Sequence, residues 1–287
     1  MHWTPRRENF RALLEGDKCI HPGSVYDAMS ARMAEDIGFE VGMFAGSTAS
    51  LAVLGAPDLI VLTLTEFAGQ AYRINRAGNL PLMVDADHGY GNALNVKRTV
   101  EELETAGVAG LTIEDTDLPR PYGTTKPQLI SIEEGVGKMK AALAGRQDKT
   151  LSIAGRTSAP GITGIEDAIA RAKAYEKAGV DAMFFAGVKT RPELEAIAAE
   201  IKIPIFLGST PPEINDTEYL GGQNVRIALR GHAPIHAAMK AAYDTLKTLR
   251  EGALSSDIEN VAGGDLKDMM IRGSDYKKWM KYFLASG

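Results

Sequence analysis

Four carboxylates follow two apolar runs of the sequence. Asp85 and Asp87 come directly after LPLMV, and Glu114 and Asp115 close the run GLTIED. Residues two apart in an extended chain face the same side, so the Asp85 and Asp87 carboxylates would point in the same direction. Acids in one cavity repel each other unless a cation lies among them, and purely oxygen ligands favour Mg²⁺ or Mn²⁺. The pattern predicts a metal site that includes Asp87 and Glu114, with capping of the following helices as the alternative; for Asp115, capping is favoured.

Arg156 and the segment GSTAS at 46–50 carry groups suited to an anionic substrate. A strand-end arginine beside a metal can hold a carboxylate through two parallel hydrogen bonds, and an ion pair with one of the acids is the alternative role. Consecutive backbone N–H groups and small hydroxyls can bind an oxyanion. These features predict substrate contacts at Arg156 and at Gly46, Ser47 and Thr48.

Three histidines and Tyr26 also follow predicted strands. His88 comes directly after the acids, where it can be a ligand or a neighbour of the ligands. His232 and His236 are four residues apart in GHAPIHAAM, but Pro234 interrupts the continuous helix that a metal-binding pair would need. We favour one of the two as a neutral hydrogen-bond donor or acid in the site, with an exposed loop histidine as the alternative.

A repeated pattern indicates the elements that would bring these groups together. The end of an amphipathic helix, a glycine and a short apolar strand recur around Gly38, Gly107 and Gly179. With five further apolar runs, eight strands alternate with helices, which predicts an α/β fold: a (β/α)8 TIM-type barrel with an extra N-terminal helix over TPRRENFRALLEG. In such a barrel the catalytic groups collect where the strands end. An open doubly wound sheet is the alternative, although no GxGxxG follows the first strand.

Composition and charge set limits on the class of protein. The 287 residues are 45% hydrophobic and 24% charged, with a net charge of −5, so we expect a globular protein that binds neither nucleic acid nor membrane. A lone cysteine, Cys19, and the absence of a signal-like N-terminus favour the cytoplasm. We expect one domain over 1–287, with a C-terminal helical extension at about 253–287. Its Trp279, Tyr282 and Phe283 predict packing on a neighbouring subunit or against the barrel's bottom.

Several segments together resemble the isocitrate lyase/phosphoenolpyruvate mutase superfamily. They are GSVYDAMSARMAEDIGFE, GAPDLIVLTLTE, DADHGYGN, GVAGLTIED and the Arg-Thr of GRTSA, and the similarity runs from about residue 20 to 245. The resemblance implies a barrel whose C-terminal helical segment is exchanged between subunits, giving homodimers or homotetramers. It also implies that the substrate is a small α-keto or α-hydroxy acid that reacts through a pyruvate-like enolate.

The resemblance implies roles for individual residues as well. Asp87 would contact the magnesium most directly, and Asp85 and Glu114 largely through water. Arg156 would hold the substrate carboxylate, Ser47 and its neighbours would bind the keto or enolate oxygen, and Asp58 would be an acid on a loop over the mouth.

Departures from the superfamily narrow the reaction. The loop LPRPYGTTKPQ has Tyr122 where the lyases have their catalytic cysteine, and Thr124 where they have a histidine. The asparagine that the mutase and the hydrolase use for the phosphoryl group is not evident either. Decarboxylation of oxaloacetate to pyruvate and CO₂ needs none of these groups, only a metal-stabilised enolate. His236 falls where lyases tend to carry an arginine for a second carboxylate.

We therefore expect Mg²⁺-dependent decarboxylation, with catalytic roles for Arg156, Asp58, His236 and Tyr122 and substrate contacts that include Tyr26 and His236. The alternatives are a carbon–carbon lyase for a substituted malate, with Tyr122 as its acid, and a non-catalytic keto-acid-binding protein. Mg²⁺ against Mn²⁺, His232 against His236, the proton donor to the enolate and closure of the loop at 116–130 stay open.

Overall fold

Eight parallel strands form one sheet in the order in which they occur in the chain. The computed structural model describes residues 2–284. The strands are β1 Gly23–Ser24, β2 Gly42–Ala45, β3 Leu82–Asp85, β4 Gly110–Glu114, β5 Ser152–Thr157, β6 Ala182–Phe185, β7 Ile205–Leu207 and β8 Val225–Ala228. A parallel bridge between Ile20 and Ile227 brings the last strand back to the residues before the first. The predicted (β/α)8 barrel is confirmed.

The first strand is shorter and later than the predicted CIHPG. Proline lacks an N–H group, so Pro22 cannot donate to the strand ladder, and regular pairing with β2 begins only at Gly23. Before the proline, Ile20 pairs with β8 instead, donating to the Arg226 carbonyl and accepting from the Ala228 N–H at 2.9 Å each. The chain around Pro22 therefore joins both neighbouring strands.

Helices follow the strands and cover the outside of the sheet. They are α1 Thr4–Glu15, α2 Ala28–Ile37, α3 Gly46–Ala49, α4 Leu64–Asn75, α5 Ala93–Thr105, α6 Ile132–Gly145, α7 Ala159–Ile162, α8 Ile165–Ala178, α9 Arg191–Ala198 and α10 Thr217–Gly222. The predicted left-handed glycines are confirmed: Gly38, Gly107 and Gly179 have φ of 97°, 91° and 104°. Each lets the chain turn from a helix into the next strand.

The N-terminal helix α1 packs against the interior of the barrel. Phe10 is fully buried among the inward-facing residues Met43, Met83 and Phe206. A side chain at Gly110 would lie 2.5 Å from the Phe10 ring, so β4 needs a glycine there. The predicted extra helix is thus confirmed, and it fills the centre of the barrel beneath the strand ends.

The chain divides into two compact units, one ending at His232 and the other beginning at Ala233. The second unit contains α11 Ala233–Arg250, a 3₁₀ turn at Ser255–Asp257, α12 Gly264–Met270 and α13 Gly273–Phe283. The predicted extension is helical, and its Trp279, Tyr282 and Phe283 are exposed; residues 285–287 of that extension lie outside the described part. The expectation of a single domain over 1–287 stays a prediction. No helix within residues 2–284 is both long and apolar enough to cross a membrane.

Candidate functional site

The loop after β3 carries Asp87 in a conformation that L-residues seldom adopt. Asp87 has a φ of 49°, and Gly89, Tyr90 and Gly91 that follow also have positive φ. Among the bonds that hold this loop, the Asp87 carbonyl accepts from the Glu114 N–H at 2.8 Å, and the buried Lys138 ammonium donates to the His88 carbonyl at 3.0 Å. Strain held in place by the surrounding structure is typical of functional loops.

Arg156, at the end of β5, lies between two of the predicted metal-site acids. Its guanidinium pairs with the Asp85 carboxylate and is 3.8 Å from Glu114 Oε2. The Arg156 guanidinium carbon also lies 5.2 Å from the centre of the Phe184 ring. Thr112 donates to the other Asp85 oxygen at 2.9 Å, and Thr116 donates to Glu114 at 2.5 Å. The ion pair considered as the alternative role of Arg156 is therefore present. Arg156 also lines the cavity described below, and its contact with a substrate carboxylate stays a prediction.

The negative charge of this acid cluster exceeds the positive charge beside it. Burial, followed by repulsion from Asp85, Glu114 and Asp58, raises the pKa of Asp87 well above its ordinary value. Burial also raises the pKa of Glu114, although Arg156 opposes the shift. Within the described chain no group donates a hydrogen bond to the Asp87 carboxylate. One arginine among these acids leaves a negative site to which a divalent cation would be attracted.

Gly46, the first residue of α3, lies against the Asp87 carboxylate. A Cβ at this position would lie 2.4 and 2.5 Å from the two carboxylate oxygens. Such a contact is far inside van der Waals distance, so any other residue would displace Asp87. Gly46 therefore lets the start of α3 approach the acid, and Ser47 beside it lines the cavity.

A cavity of about 640 Å³ opens where the strands end. Two segments beyond the sheet form part of its walls: Asp58, Leu59 and Ile60 on one, and most of 116–128 on the other. The second segment is a hairpin, because Thr116 bridges Leu129 and the Asp117 N–H donates to the Gln128 carbonyl at 2.8 Å. Its closure over the site stays a prediction.

The cavity gathers most of the predicted site residues. Its walls include Ser47, Asp58, Asp85, Asp87, Glu114, Arg156 and His232.

Other predicted residues lie elsewhere. Thr48 is buried and bonds to Ala45, Tyr26 bonds through its backbone to Gln70 and Ser30, and Tyr122 is fully exposed. His236 is exposed on α11, in the second unit, so its role stays a prediction.

The capping role favoured for Asp115 is wrong. Ser131 caps the following helix α6, whereas Asp115 is fully buried and accepts from Arg171 at 3.0 Å and from Tyr175 at 2.8 Å. Asn92 likewise caps α5, which removes the capping alternative for Asp87. His88 is buried behind the loop, where burial and the Lys138 charge lower its pKa to about 4 and keep the ring neutral.

Two residues that complete the site were not predicted from the sequence. Thr116 follows Glu114 by two residues, and so a continued strand would have placed it on the same side. Phe184 is one of two phenylalanines in β6, and only the register decides which one faces inward. Ser209, which follows a predicted strand and was therefore a candidate from the sequence, lines the cavity just after β7.

The oxygen donors fit a hydrated divalent cation better than a closed protein cage. No three His, Cys, Asp or Glu side chains among residues 2–284 form a ready-made metal cage. Mg²⁺ commonly keeps several waters and takes only one or two carboxylates from the protein. Asp87, buried and without a hydrogen-bond donor, is the residue best suited to direct contact, with Asp85 and Glu114 near it.

Comparisons with known proteins agree with this fold. Residues 10–250 match the family described as phosphoenolpyruvate phosphomutase. The chain is 61% identical over 277 residues to a Bradyrhizobium diazoefficiens protein named oxaloacetate decarboxylase, covering 96% of both chains. Among solved structures it resembles a phosphonopyruvate hydrolase in complex with oxalate and Mg²⁺, with a TM-score of 0.84, 25% identity and coverage of 98% and 99%. It also resembles an oxaloacetate acetylhydrolase with the inhibitor 3,3-difluorooxalacetate, with a TM-score of 0.83, 26% identity and coverage of 97% of both chains.

Proposed function

Because this chain belongs to the phosphoenolpyruvate phosphomutase family, we propose that it is an enzyme that decarboxylates oxaloacetate to pyruvate and CO₂ with Mg²⁺. The observation that carries the proposal is Arg156 beside the acids Asp85, Asp87 and Glu114 in one cavity. The relative named oxaloacetate decarboxylase, 61% identical over nearly the whole chain, supports the choice of substrate. Mn²⁺ would suit the same oxygen donors, and we favour Mg²⁺ because the related hydrolase was solved with it.

Each residue has a task that follows from its chemistry. Arg156 holds the carboxylate next to the keto group, because its fork matches two carboxylate oxygens. The backbone N–H groups at Gly46 and Ser47 stabilise the oxygen on which charge develops. Asp87, Asp85 and Glu114 hold the metal, which when bound withdraws electrons from the keto group.

The reaction breaks the bond between C3 and the distal carboxylate. That carboxylate leaves as CO₂, and the bonding electron pair moves into C2–C3 to give the enolate of pyruvate. Proton return to C3 then completes pyruvate. Asp58 lines the cavity, and burial and then Asp85 raise its pKa, which favours the protonated form that a donor needs.

His232 is the histidine that we assign to the departing carboxylate. It lines the cavity, whereas His236 is exposed on α11 and its role in the site stays a prediction. A neutral imidazole offers one hydrogen bond where an arginine would offer two and a fixed charge. The weaker hold suits a group that must become neutral CO₂.

The assay that tests this function compares pyruvate formation with and without the protein at saturating Mg²⁺. We expect turnover well above the rate of the free ion, loss of that excess with a chelator, and inhibition by oxalate. Turnover equal to the free-ion rate would refute the proposal. In that case stabilisation by oxalate without turnover would favour a binding protein, and cleavage of substituted malates would favour a lyase.

Replacing Gly46 with alanine is expected to lower kcat/KM about 100-fold with little loss of stability, because the new methyl group displaces the Asp87 carboxylate. The measurement is the rate against Mg²⁺ concentration, with thermal unfolding alongside. Gly137→Ala on α6 is the matched control, since its Cβ would meet nothing within 4 Å. Equal kcat/KM in the Gly46 variant and the original protein would contradict the tight contact.

We further propose that the protein works as a homodimer or homotetramer in the cytoplasm. The exposed Trp279, Met280 and Phe283 on α13 support an exchanged segment, and the buried free thiol of Cys19 suits a reducing compartment. Sedimentation of the full chain as a monomer at micromolar concentration would refute the assembly.

A further inference from the structure

The seam of the barrel, where residues 225–232 meet residues 20–24, contains two side-chain hydrogen bonds besides its backbone bridge. His21 Nδ1 lies 2.7 Å from the Ala228 carbonyl, lower in the seam. Ser24 Oγ lies 2.8 Å from His232 Nδ1, at the end where the strands open into the cavity. The seam therefore couples the end of β1 to a histidine of the site.

The alternation of β1 directs Ser24 toward the barrel interior. A Cβ at the preceding Gly23 would meet Ala34 of α2 at 3.1 Å, so that residue faces the surrounding helices. Successive residues of a strand face opposite sides, and Ser24 consequently faces inward. The hydroxyl reaches His232, which follows β8 after the left-handed turn at Gly231.

We propose that Ser24 is a positioning residue for His232, and this inference rests on the proposed function. Ser24 Oγ–H donates to His232 Nδ1, which fixes the ring plane and selects the tautomer with the proton on Nε2. Nε2–H is then the donor that the ring presents to the distal carboxylate of the substrate. A neutral histidine whose Nδ1 accepts a hydrogen bond carries its proton on Nε2.

The surroundings of His232 agree with this placement. Asp58 lines the same cavity as His232. A ring free to rotate would alter its contact with substrate in that cavity. Ser24 limits that rotation from the side of β1.

The first test is spectroscopic and needs no substrate. Nitrogen-15 spectra report the tautomer of each of the five histidines, and a His232→Asn variant assigns the His232 signals. In the original protein we expect unprotonated Nδ1 and protonated Nε2 at His232. Ser24→Ala should shift these signals toward a mixture of tautomers, and Ser24→Thr should restore them. Signals unchanged in Ser24→Ala would overturn the proposal.

The second test is kinetic and separates positioning from barrel closure. Ser24→Ala should lower kcat/KM for oxaloacetate roughly tenfold, about the effect of one hydrogen bond, and Ser24→Thr should recover most of it. His21→Phe removes the other side-chain bond of the seam without touching His232. An equal kinetic loss in His21→Phe and Ser24→Ala, at equal thermal stability, would overturn positioning.

The two tests also distinguish this proposal from the proposed function. Failure of the original protein to convert oxaloacetate would refute the function alone, because the tautomer of His232 is measured without turnover. Ser152→Ala, at the opposite end of the barrel in β5, is the control for loss of a strand hydroxyl and should leave both measurements unchanged.

Discussion

Replacing Asp87 with alanine is expected to lower oxaloacetate turnover to the rate of free Mg²⁺, a loss of at least about 1,000-fold. Of the acids in the cluster, Asp87 has the carboxylate that the protein stabilises least, since no group within the described residues donates a hydrogen bond to it. Without it the proposed metal loses its most direct protein ligand. The measurement is pyruvate formation across a range of Mg²⁺ concentrations.

The same substitution is expected to leave the metal-free protein at least as stable as the original. Asp85, Glu114 and Asp58 all repel the Asp87 carboxylate, and burial adds to its cost. Removal of this charge relieves the repulsion, so activity and stability should change in opposite directions. Added Mg²⁺ should raise the melting temperature of the original protein and have little effect on the variant.

A helix-capping aspartate provides the matched control. Asp27 accepts from the Ser30 N–H at 2.7 Å and caps α2. Asp27→Ala should therefore lose about 1 kcal/mol of stability and keep its turnover, the reverse of the Asp87 pattern. A less stable Asp87→Ala protein with normal turnover would mean that Asp87 is a structural acid.

Much of the barrel was predictable because its signals are local. The left-handed glycines at Gly38, Gly107 and Gly179 follow from the need to turn out of a helix. The acids after β3 and β4 follow from charge placed where apolar strands end. Both signals depend on neighbours in the chain, which a sequence displays directly.

The rest depended on contacts between distant residues. Asp115 looked like a cap, but its partners Arg171 and Tyr175 lie more than 50 positions away along the chain. The Ser24–His232 bond spans 208 positions and requires β8 to lie beside β1. No local pattern indicates which of two histidines four residues apart meets such a partner, and the sequence therefore left His232 and His236 open.

Replacing Arg7 with methionine is expected to lower the free energy of unfolding by about 3–5 kcal/mol, because it removes one partner of a buried pair. The Arg7 side chain is fully buried and donates to the Val108 carbonyl at 2.9 Å, the Glu104 carbonyl at 2.5 Å and Asp148 at 2.8 Å. Denaturant unfolding measures the loss. Catalysis should be little changed in the folded variant, since α1 lies beneath the strand ends.

The pH dependence of that loss identifies the Asp148 carboxylate as the partner. Burial alone would raise the pKa of Asp148, but hydrogen bonds from Thr150, Arg7 and Thr4 outweigh it and lower the pKa below the ordinary value of 3.8. A lowered native pKa contributes stability above the unfolded value, and that contribution is lost as the pH falls toward the native one. The difference between the original protein and Arg7→Met should thus be full at neutral pH and shrink below about pH 4. Arg11 lies on the same helix as Arg7 and forms a partly exposed pair with Asp181, so Arg11→Met should lower the free energy of unfolding by less. A pH-independent difference would assign the stabilisation to the two carbonyl contacts alone.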